Sequence, residues 1–123
     1  LTLKTRPDLM IESEQTVFDV KTTQDASPKG FLKECIKYGY FLQGAHYVYT
    51  CKLAGYDIKK FSFIACEKTA PYVSHLHVMG SDIMHWGMKH LHKTLATIAK
   101  AEKQSDYGTN WGDYTVMEKP SWL

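Results

Sequence analysis

The order of hydrophobic patterns along the chain predicts a single domain of the α/β or α+β class with one central sheet. Two β-branched stretches come first, a long helical pattern follows, and two more strand patterns precede a second long helix. The length of 123 residues is about one domain's worth of chain, and a 44% hydrophobic, 23% charged composition is ordinary for a folded protein. This order favours a sheet that packs against helices.

The first two strands are predicted to form a β-hairpin. Residues 3–11 and 16–22 have strand character and flank the polar turn Glu12-Ser13-Glu14-Gln15. If the central pair of that turn, Ser13 and Glu14, forms a two-residue turn, the register places Asp8 directly opposite Asp19.

The helix that follows has a recognisable start and stop. Ser27 is a suitable N-cap and Pro28 a suitable first helical residue. The helical pattern continues to Ala54, and we expect the helix to stop at Gly55.

The second half of the chain predicts two strands and a further helix. Residues 58–66 and 72–78 have strand patterns, and residues 81–104 have a helical pattern capped by Ser81 or Asp82. The tail, residues 105–123, is rich in Gly, Trp and Tyr and has no clear period, although residues 114–118 could add one more strand.

Composition excludes some classes of function and bounds others. The net charge of +2 is too small to indicate a nucleic-acid partner by itself. The three cysteines contain no CxxC pair, which favours a reduced, cytoplasmic setting. No run of about 18 apolar residues predicts a membrane span. Because the chain begins with Leu1 rather than Met, we expect it to be the C-terminal portion of a longer protein.

Charged residues interrupt the second strand. Because side chains alternate across a strand, Val17, Asp19 and Lys21 share one face. Two carboxylates held opposite each other, Asp8 and Asp19, repel unless a proton or a cation lies between them. Oxygen-only ligation suits Mg²⁺, or Mn²⁺, better than zinc. Lys21 on the same face would orient an attacking water and stabilise charge on a phosphate.

The first helix adds polar groups at helical spacing. Tyr40, Gln43 and Tyr47 recur at i, i+3 and i+7 and therefore share one helix face. Gln43 and Tyr47 are one turn apart, so both side chains could reach a phosphate or a metal-bound water.

Together these motifs resemble the PD-(D/E)xK nuclease superfamily. The resemblance rests on "RPD", on "FDVKTT" and on "YFLQGAHYVY", and it continues loosely to the closing "KPSW". Within the superfamily, the sequence is most similar to the phage-type recombination exonucleases of the RecE (exonuclease VIII) and YqaJ group. The resemblance implies a restriction-endonuclease-like fold, with a central mixed sheet flanked by helices and without its N-terminal helical part.

The resemblance also implies roles for individual residues. Asp8, Asp19 and the backbone carbonyl of Val20 would bind the metal, Lys21 would be the catalytic lysine, and Gln43 and Tyr47 would contact the substrate near the metal. A further acidic or histidine ligand would come from a helix upstream of this chain. The implied partners are the ends of double-stranded DNA, a single-strand annealing protein and further copies of the chain in a ring, and the implied product is a 3′ single-stranded overhang.

Each of these interpretations has a simpler alternative. Asp19 and Lys21 are also compatible with an exposed ion pair at a sheet edge, and Tyr47 with a buried residue of the core. Lys29, Lys33 and Lys37 would line a phosphate path or form a solvated helix face. The tail aromatics would stack on bases or pack on the domain.

The histidines raise the question of a zinc site. His75 and His77 share a strand face, and His85 and His92 share a helix face with His90 close by, but no Cys or carboxylate spacing completes a tetrahedral zinc site. The function has three rival interpretations. They are a restriction-type endonuclease, a Cas4-like nuclease, which the absence of a cysteine cluster disfavours, and a non-catalytic DNA-binding or assembly module.

Overall fold

The computed structural model describes residues 1–108 and 111–123. Residues 9–104 form a mixed four-stranded sheet with helices. The strands are β1 (Leu9–Ile11), β2 (Thr16–Thr23), β3 (Lys60–Glu67) and β4 (Ser74–Val78), and the helices are α1 (Pro28–Tyr38), α2 (Tyr40–Leu53) and α3 (Ser81–Gln104). The predicted α+β class is confirmed.

The strands lie in the order β1-β2-β3-β4. β1 is antiparallel to β2, β2 is parallel to β3, and β3 is antiparallel to β4. A parallel pair needs a long crossover connection, and α1 and α2 together provide the one between β2 and β3. Both helices contribute side chains to the core on the inner face of the sheet.

The hairpin register is confirmed for Leu9–Ile11, although the strand before the turn is shorter than predicted and Asp8 lies outside the paired residues. Leu9 pairs with Phe18 and Ile11 with Thr16. The turn is a short 3-10 segment, Glu12–Glu14, which Gln15 closes in the left-handed conformation at φ 53°. The prediction of a strand from residue 3 is wrong, because β1 begins only at Leu9. Pro7, just upstream, has no N–H for the ladder.

The predicted long helix is two helices. Ser27 caps α1 as predicted, since its side chain accepts a hydrogen bond of 3.1 Å from the Gly30 N–H. The helical pattern is then broken at Gly39, which has a φ of 70° and ends α1 in the left-handed conformation. α2 starts at the next residue in a new direction, so the expectation of one helix from Pro28 to Ala54 is wrong.

Two predictions for the second half also need correction. α3 spans the predicted residues 81–104, but its N-cap is Gly80, and no side chain caps the helix. Asp82 instead accepts a hydrogen bond from the adjacent Ile83 N–H at 2.9 Å. Residues 114–118 lie outside any strand, and their apolar side chains are too exposed to anchor one: Val116 is 70% and Met117 95% exposed.

The core lies between the inner face of the sheet and the helices. Its fully buried side chains include Val17 from β2, Phe61 and Phe63 from β3, Phe31 from α1 and Val48 from α2. Each such side chain contributes roughly 1.5–3 kcal/mol to the free energy of unfolding when taken out of water. One hydrophobic cluster thus joins β2 and β3 to the two crossover helices.

α3 packs closely on α2. An added Cβ at Gly87 would lie 2.6 Å from the Phe41 carbonyl oxygen, so only glycine permits this approach. None of the helices in the described residues is long and apolar enough to cross a membrane.

Candidate nuclease site

The charged residues of β2 lie on the inner face of the sheet, under the helices. Asp19 is only 6% exposed and follows the buried Val17 at the strand period, whereas Val20 points away and is 49% exposed. The prediction that Asp19 and Lys21 share the face of Val17 agrees with this burial pattern. A buried carboxylate needs partners, because burial without them costs several kcal/mol.

Asp19 finds two partners. Its Oδ2 lies 2.8 Å from the Lys21 Nζ, and its Oδ1 accepts a hydrogen bond of 3.2 Å from the Gln43 Nε2 on α2. The two partners come from different elements, so the position of the carboxylate depends on both β2 and α2. The structure thus brings three of the predicted site residues into one cluster.

Lys21 is held on its other side by an aromatic ring. Its Nζ lies 4.4 Å from the centre of the Tyr40 ring, a cation–π contact. Tyr40 is fixed in turn by the core, with ring centres 6.2 Å from Phe31 and 5.8 Å from Phe63. The ammonium is therefore confined between a carboxylate and an aromatic face, and its side chain is 20% exposed.

Asp8 reaches the same strand through a local shift of the ladder. Its N–H donates to the Phe18 carbonyl at 3.1 Å, although Phe18 is also the register partner of Leu9. Two residues of one strand then face one residue of the next, as in a β-bulge. The Asp8 Oδ2 accepts the Val20 N–H at 2.8 Å, so this carboxylate lies against the peptide bond that joins Asp19 to Val20.

Tyr47 is not part of the contacts just described. Its ring lies edge-on to Phe61, with centres 5.6 Å apart and planes at 78°, and it packs against the hydrophobic core. Phe61 pairs with Val17, two residues before Asp19 along β2. Tyr47 therefore lies one helical turn beyond Gln43, toward the start of β2, and its substrate contact stays a prediction.

The carboxylates fit a hard divalent cation such as Mg²⁺. Asp19 Oδ2 is buried and is paired with the Lys21 ammonium at 2.8 Å. Carboxylate oxygens are the ligands that a hard divalent cation prefers. In the described part of the chain no three His, Cys, Asp or Glu side chains converge on one point. Asp8 and Asp19 would thus supply two ligands, and water, substrate or the predicted Val20 carbonyl the rest.

The histidines of β4 have structural partners. The His77 Nε2 lies 3.0 Å from the Ala26 carbonyl oxygen, and its ring stacks on Phe31 with centres 4.5 Å apart. The Ala26 N–H donates to the Glu67 carboxylate at 3.0 Å. His77 therefore helps to hold the loop that leads from β2 into α1. The finding of no three-ligand cluster among the described residues gives no support to a zinc site.

The sequence analysis gave Tyr40 no role in the site. Its position three residues before Gln43 was a usable signal, because residues at i and i+3 lie on one helix face. Its contact with Lys21 depends in addition on where α2 begins, which the sequence pattern did not show.

Comparison with known proteins identifies the family. The sequence pattern of a family described as "PDDEXK-like domain of unknown function (DUF3799)" matches residues 1–116. The chain belongs to this family. The predicted membership of the PD-(D/E)xK superfamily is thereby confirmed.

A solved structure supports the fold of this PDDEXK-like domain. It is a "putative exonuclease" from Eubacterium rectale, 15% identical, with a TM-score of 0.61 over 85% of this chain. The match covers 44% of that protein, so the PDDEXK-like domain spans less than half of its length. At this identity the likeness shows the fold alone. A search of curated proteins gives no match.

Proposed function

We propose that this PDDEXK-like domain is a metal-dependent exodeoxyribonuclease that hydrolyses phosphodiester bonds from the ends of double-stranded DNA. One observation carries the proposal: the Asp8 carboxylate is hydrogen-bonded to the N–H of the peptide that joins Asp19 to Val20, while the buried Asp19 carboxylate lies 2.8 Å from the Lys21 ammonium. This arrangement supplies one acidic ligand and a cation from β2 and a second acidic ligand from Asp8, just before β1.

Each residue of the cluster has a chemical task in this proposal. Asp8 and Asp19 would hold Mg²⁺, or Mn²⁺, which when bound lowers the pKa of a water and neutralises phosphate charge. Lys21 orients the attacking water and stabilises the charge that develops on the phosphate. Gln43 holds the Asp19 carboxylate in place through Oδ1. Direct attack of water on phosphorus needs no covalent intermediate.

The narrower assignment is part of the proposal. The similarity of "RPD", "FDVKTT" and "YFLQGAHYVY" to recombination exonucleases of the RecE and YqaJ group supports an enzyme that leaves a 3′ single-stranded overhang. The similar fold of a "putative exonuclease" from Eubacterium rectale supports an action on DNA ends. An annealing protein that receives the overhang and a ring of several copies follow from the same similarity.

The test is the release of nucleotides from linear duplex DNA labelled at either the 5′ or the 3′ end, in Mg²⁺, in Mn²⁺ and in EDTA. Wild-type protein is compared with Asp19→Asn, with Lys21→Gln and with the matched control Lys59→Gln. Lys59 lies 3.9 Å from Asp57 in an exposed ion pair remote from the cluster in sequence. We expect metal-dependent release that the first two variants lose and the control keeps.

Two outcomes would contradict the proposal in different ways. Cleavage of covalently closed circular DNA that depends on Asp19 would show an endonuclease on the same fold. Binding of DNA without cleavage, in either metal and in all four proteins, would favour a non-catalytic binding module. The label that is released first gives the direction of digestion.

A further inference from the structure

The break at Gly39 creates a pair of tyrosines beside Lys21. In one continuous helix, residues at i and i+2 point in widely different directions and do not face each other. Because Gly39 adopts a φ of 70°, Tyr38 at the end of α1 and Tyr40 at the start of α2 instead lie with ring centres 5.7 Å apart and planes at 30°. Tyr40 packs against the core and makes the cation–π contact with Lys21, whereas Tyr38 is 58% exposed.

This tyrosine pair lines a polar groove that begins at the site. The groove has a volume of about 580 Å³ and is walled by the end of β2, by α1 and by the residue after β3. The lining residues that matter here are Glu34, Lys37, Tyr38, Tyr40 and Lys68. The Tyr40 ring joins the two regions, because the ammonium of Lys21 lies over it. A strand whose phosphate is at Lys21 would therefore continue into this groove.

The charges of the groove are suited to a polyanion. Lys37 lies with its Nζ 5.1 Å from the centre of the Tyr38 ring. Lys68 is positioned at the other wall, since its backbone N–H donates to the Thr23 carbonyl at 3.2 Å. Both lysines are exposed, and the groove contains one opposing acidic residue, Glu34. Two ammonium groups around an exposed aromatic ring are the combination that binds single-stranded nucleic acid, through phosphates and a stacked base.

We infer that this groove binds the single strand next to the cleaved bond, with one base stacked on Tyr38 and its phosphates at Lys37 and Lys68. The inference rests on the proposed nuclease function for its biological meaning. Its binding chemistry is independent of cleavage, because none of these three residues contacts Asp8 or Asp19 in the described structure.

Binding in the absence of metal tests the inference. The probe is a fluorescently labelled 12-nucleotide single strand of mixed sequence, titrated with protein in EDTA and followed by anisotropy. Tyr38→Ala should weaken binding about tenfold or more, the effect expected for a lost base stack, and Tyr38→Phe should keep it. Tyr56→Ala is the matched control, since Tyr56 is also exposed, at 43%, but lies beyond the C-terminal end of α2.

The roles of Lys37, Lys68 and Glu34 are tested by removing the charge of each side chain in turn. Lys37→Gln and Lys68→Gln should each reduce the slope of log affinity against log salt by about 0.7, the value for one phosphate contact of a single strand. Lys52→Gln, in the last turn of α2, should leave the slope unchanged. Glu34→Gln should tighten binding, because it removes the acidic group that faces the phosphates. Tighter binding by Glu34→Gln cannot result from loss of folding, because an unfolded variant would bind the strand less well than wild type.

The results separate this inference from the proposed function. If Tyr38→Ala and the two lysine variants bind the strand as wild type does, or if wild type does not bind it, the inference is wrong, whatever the cleavage assay shows. If the variants weaken binding but wild type cleaves no DNA in either metal, the groove assignment stands and the nuclease proposal fails. Melting temperatures within a few degrees of wild type confirm that the variants fold.

Discussion

Lys21 and Asp19 form an ion pair of 2.8 Å within one strand, on the face that also carries the buried Val17 and Thr23. The Asp19 side chain is 9% exposed, so water reaches little of it and the Lys21 ammonium is its close charged partner. A buried pair of this kind is a weak source of stability, but removal of one partner leaves an uncompensated charge. The pair therefore links the stability of the domain to its proposed chemistry.

The first prediction concerns the loss of Lys21. Lys21→Met removes the ammonium and keeps much of the side chain, so it should lower the free energy of unfolding by about 1–3 kcal/mol without metal. Mg²⁺ should restore more stability to this variant than it adds to wild type, because the divalent cation then compensates the Asp19 charge. Urea denaturation with EDTA and with Mg²⁺ measures both effects.

Lys59→Met is the control for this experiment. Its ion pair with Asp57 is exposed, with side chains 58% and 73% accessible, so its loss should cost less than about 0.5 kcal/mol in either condition. Equal responses of Lys21→Met and wild type to Mg²⁺ would argue against a cation at Asp19.

The second prediction concerns Gln43, which donates to the Asp19 Oδ1. Gln43→Ala frees the Asp19 carboxylate to rotate. Loss of such an orienting hydrogen bond typically lowers metal affinity or activity about 10- to 100-fold, and we expect a decrease in that range here. The Mg²⁺ concentration for half-maximal cleavage should rise, and excess Mg²⁺ should recover part of the rate. Gln104→Ala, at the exposed end of α3, should behave as wild type. An unchanged Mg²⁺ midpoint in Gln43→Ala would show that the bond does not position a metal ligand.

The sequence predicted the hairpin because two independent features agree. Strand alternation puts Asp19 and Lys21 on one face, and the length of the turn fixes the register at Leu9 with Phe18. Neither feature showed the shift of the ladder at Asp8, which depends on backbone hydrogen bonds next to Pro7. The shared face of Asp19 and Lys21 was thus predictable from the strand period, whereas the local geometry at Asp8 was not.

The helix break was not predictable from periodicity for a physical reason. A single glycine within a helical pattern is tolerated at a cost of about 1 kcal/mol, so Gly39 alone does not indicate a stop. Helical patterns continue on both sides of it, with Phe31 before it and Phe41 after it both in the core. The contact of Tyr40 with Lys21 and the tyrosine pair follow from the break, so they were missed with it.

The third prediction tests the break itself. Gly39→Ala places a Cβ in the left-handed region, which costs roughly 1–2 kcal/mol, although an added Cβ there would meet no atom within 4 Å. Gly39→Asn should cost clearly less, because Asn adopts this conformation more readily. Thermal unfolding of the two variants shows which of them loses more stability. Equal loss in both would mean that the left-handed conformation is not what the position requires.

The fourth prediction concerns thiol reactivity. Burial raises the pKa of the Cys35 thiol, against opposing effects of the Phe41 N–H and the Lys21 charge, and burial also raises the pKa of the Cys51 thiol. The thiolate is the reactive form, so both should resist a disulfide reagent in the native protein, while the partly exposed Cys66 reacts first. Cys66→Ser should remove the fast phase and leave two thiols that react only in denaturant. A fast phase that survives Cys66→Ser would contradict the burial of the other two.

The fifth prediction is a pH dependence of stability that arises from His46. Burial lowers the pKa of this imidazole from its usual 6.5, so the folded state binds fewer protons than the unfolded state. The stability due to neutral His46 is therefore fully present above pH 6.5 and is lost as the pH falls through the lowered folded pKa. His46→Gln should flatten the decrease in melting temperature between about pH 7 and pH 5. His85→Gln, on the exposed face of α3, is the control for general effects of removing a histidine. If the two variants show the same pH profile as wild type, desolvation of His46 does not contribute to the acid sensitivity of the fold.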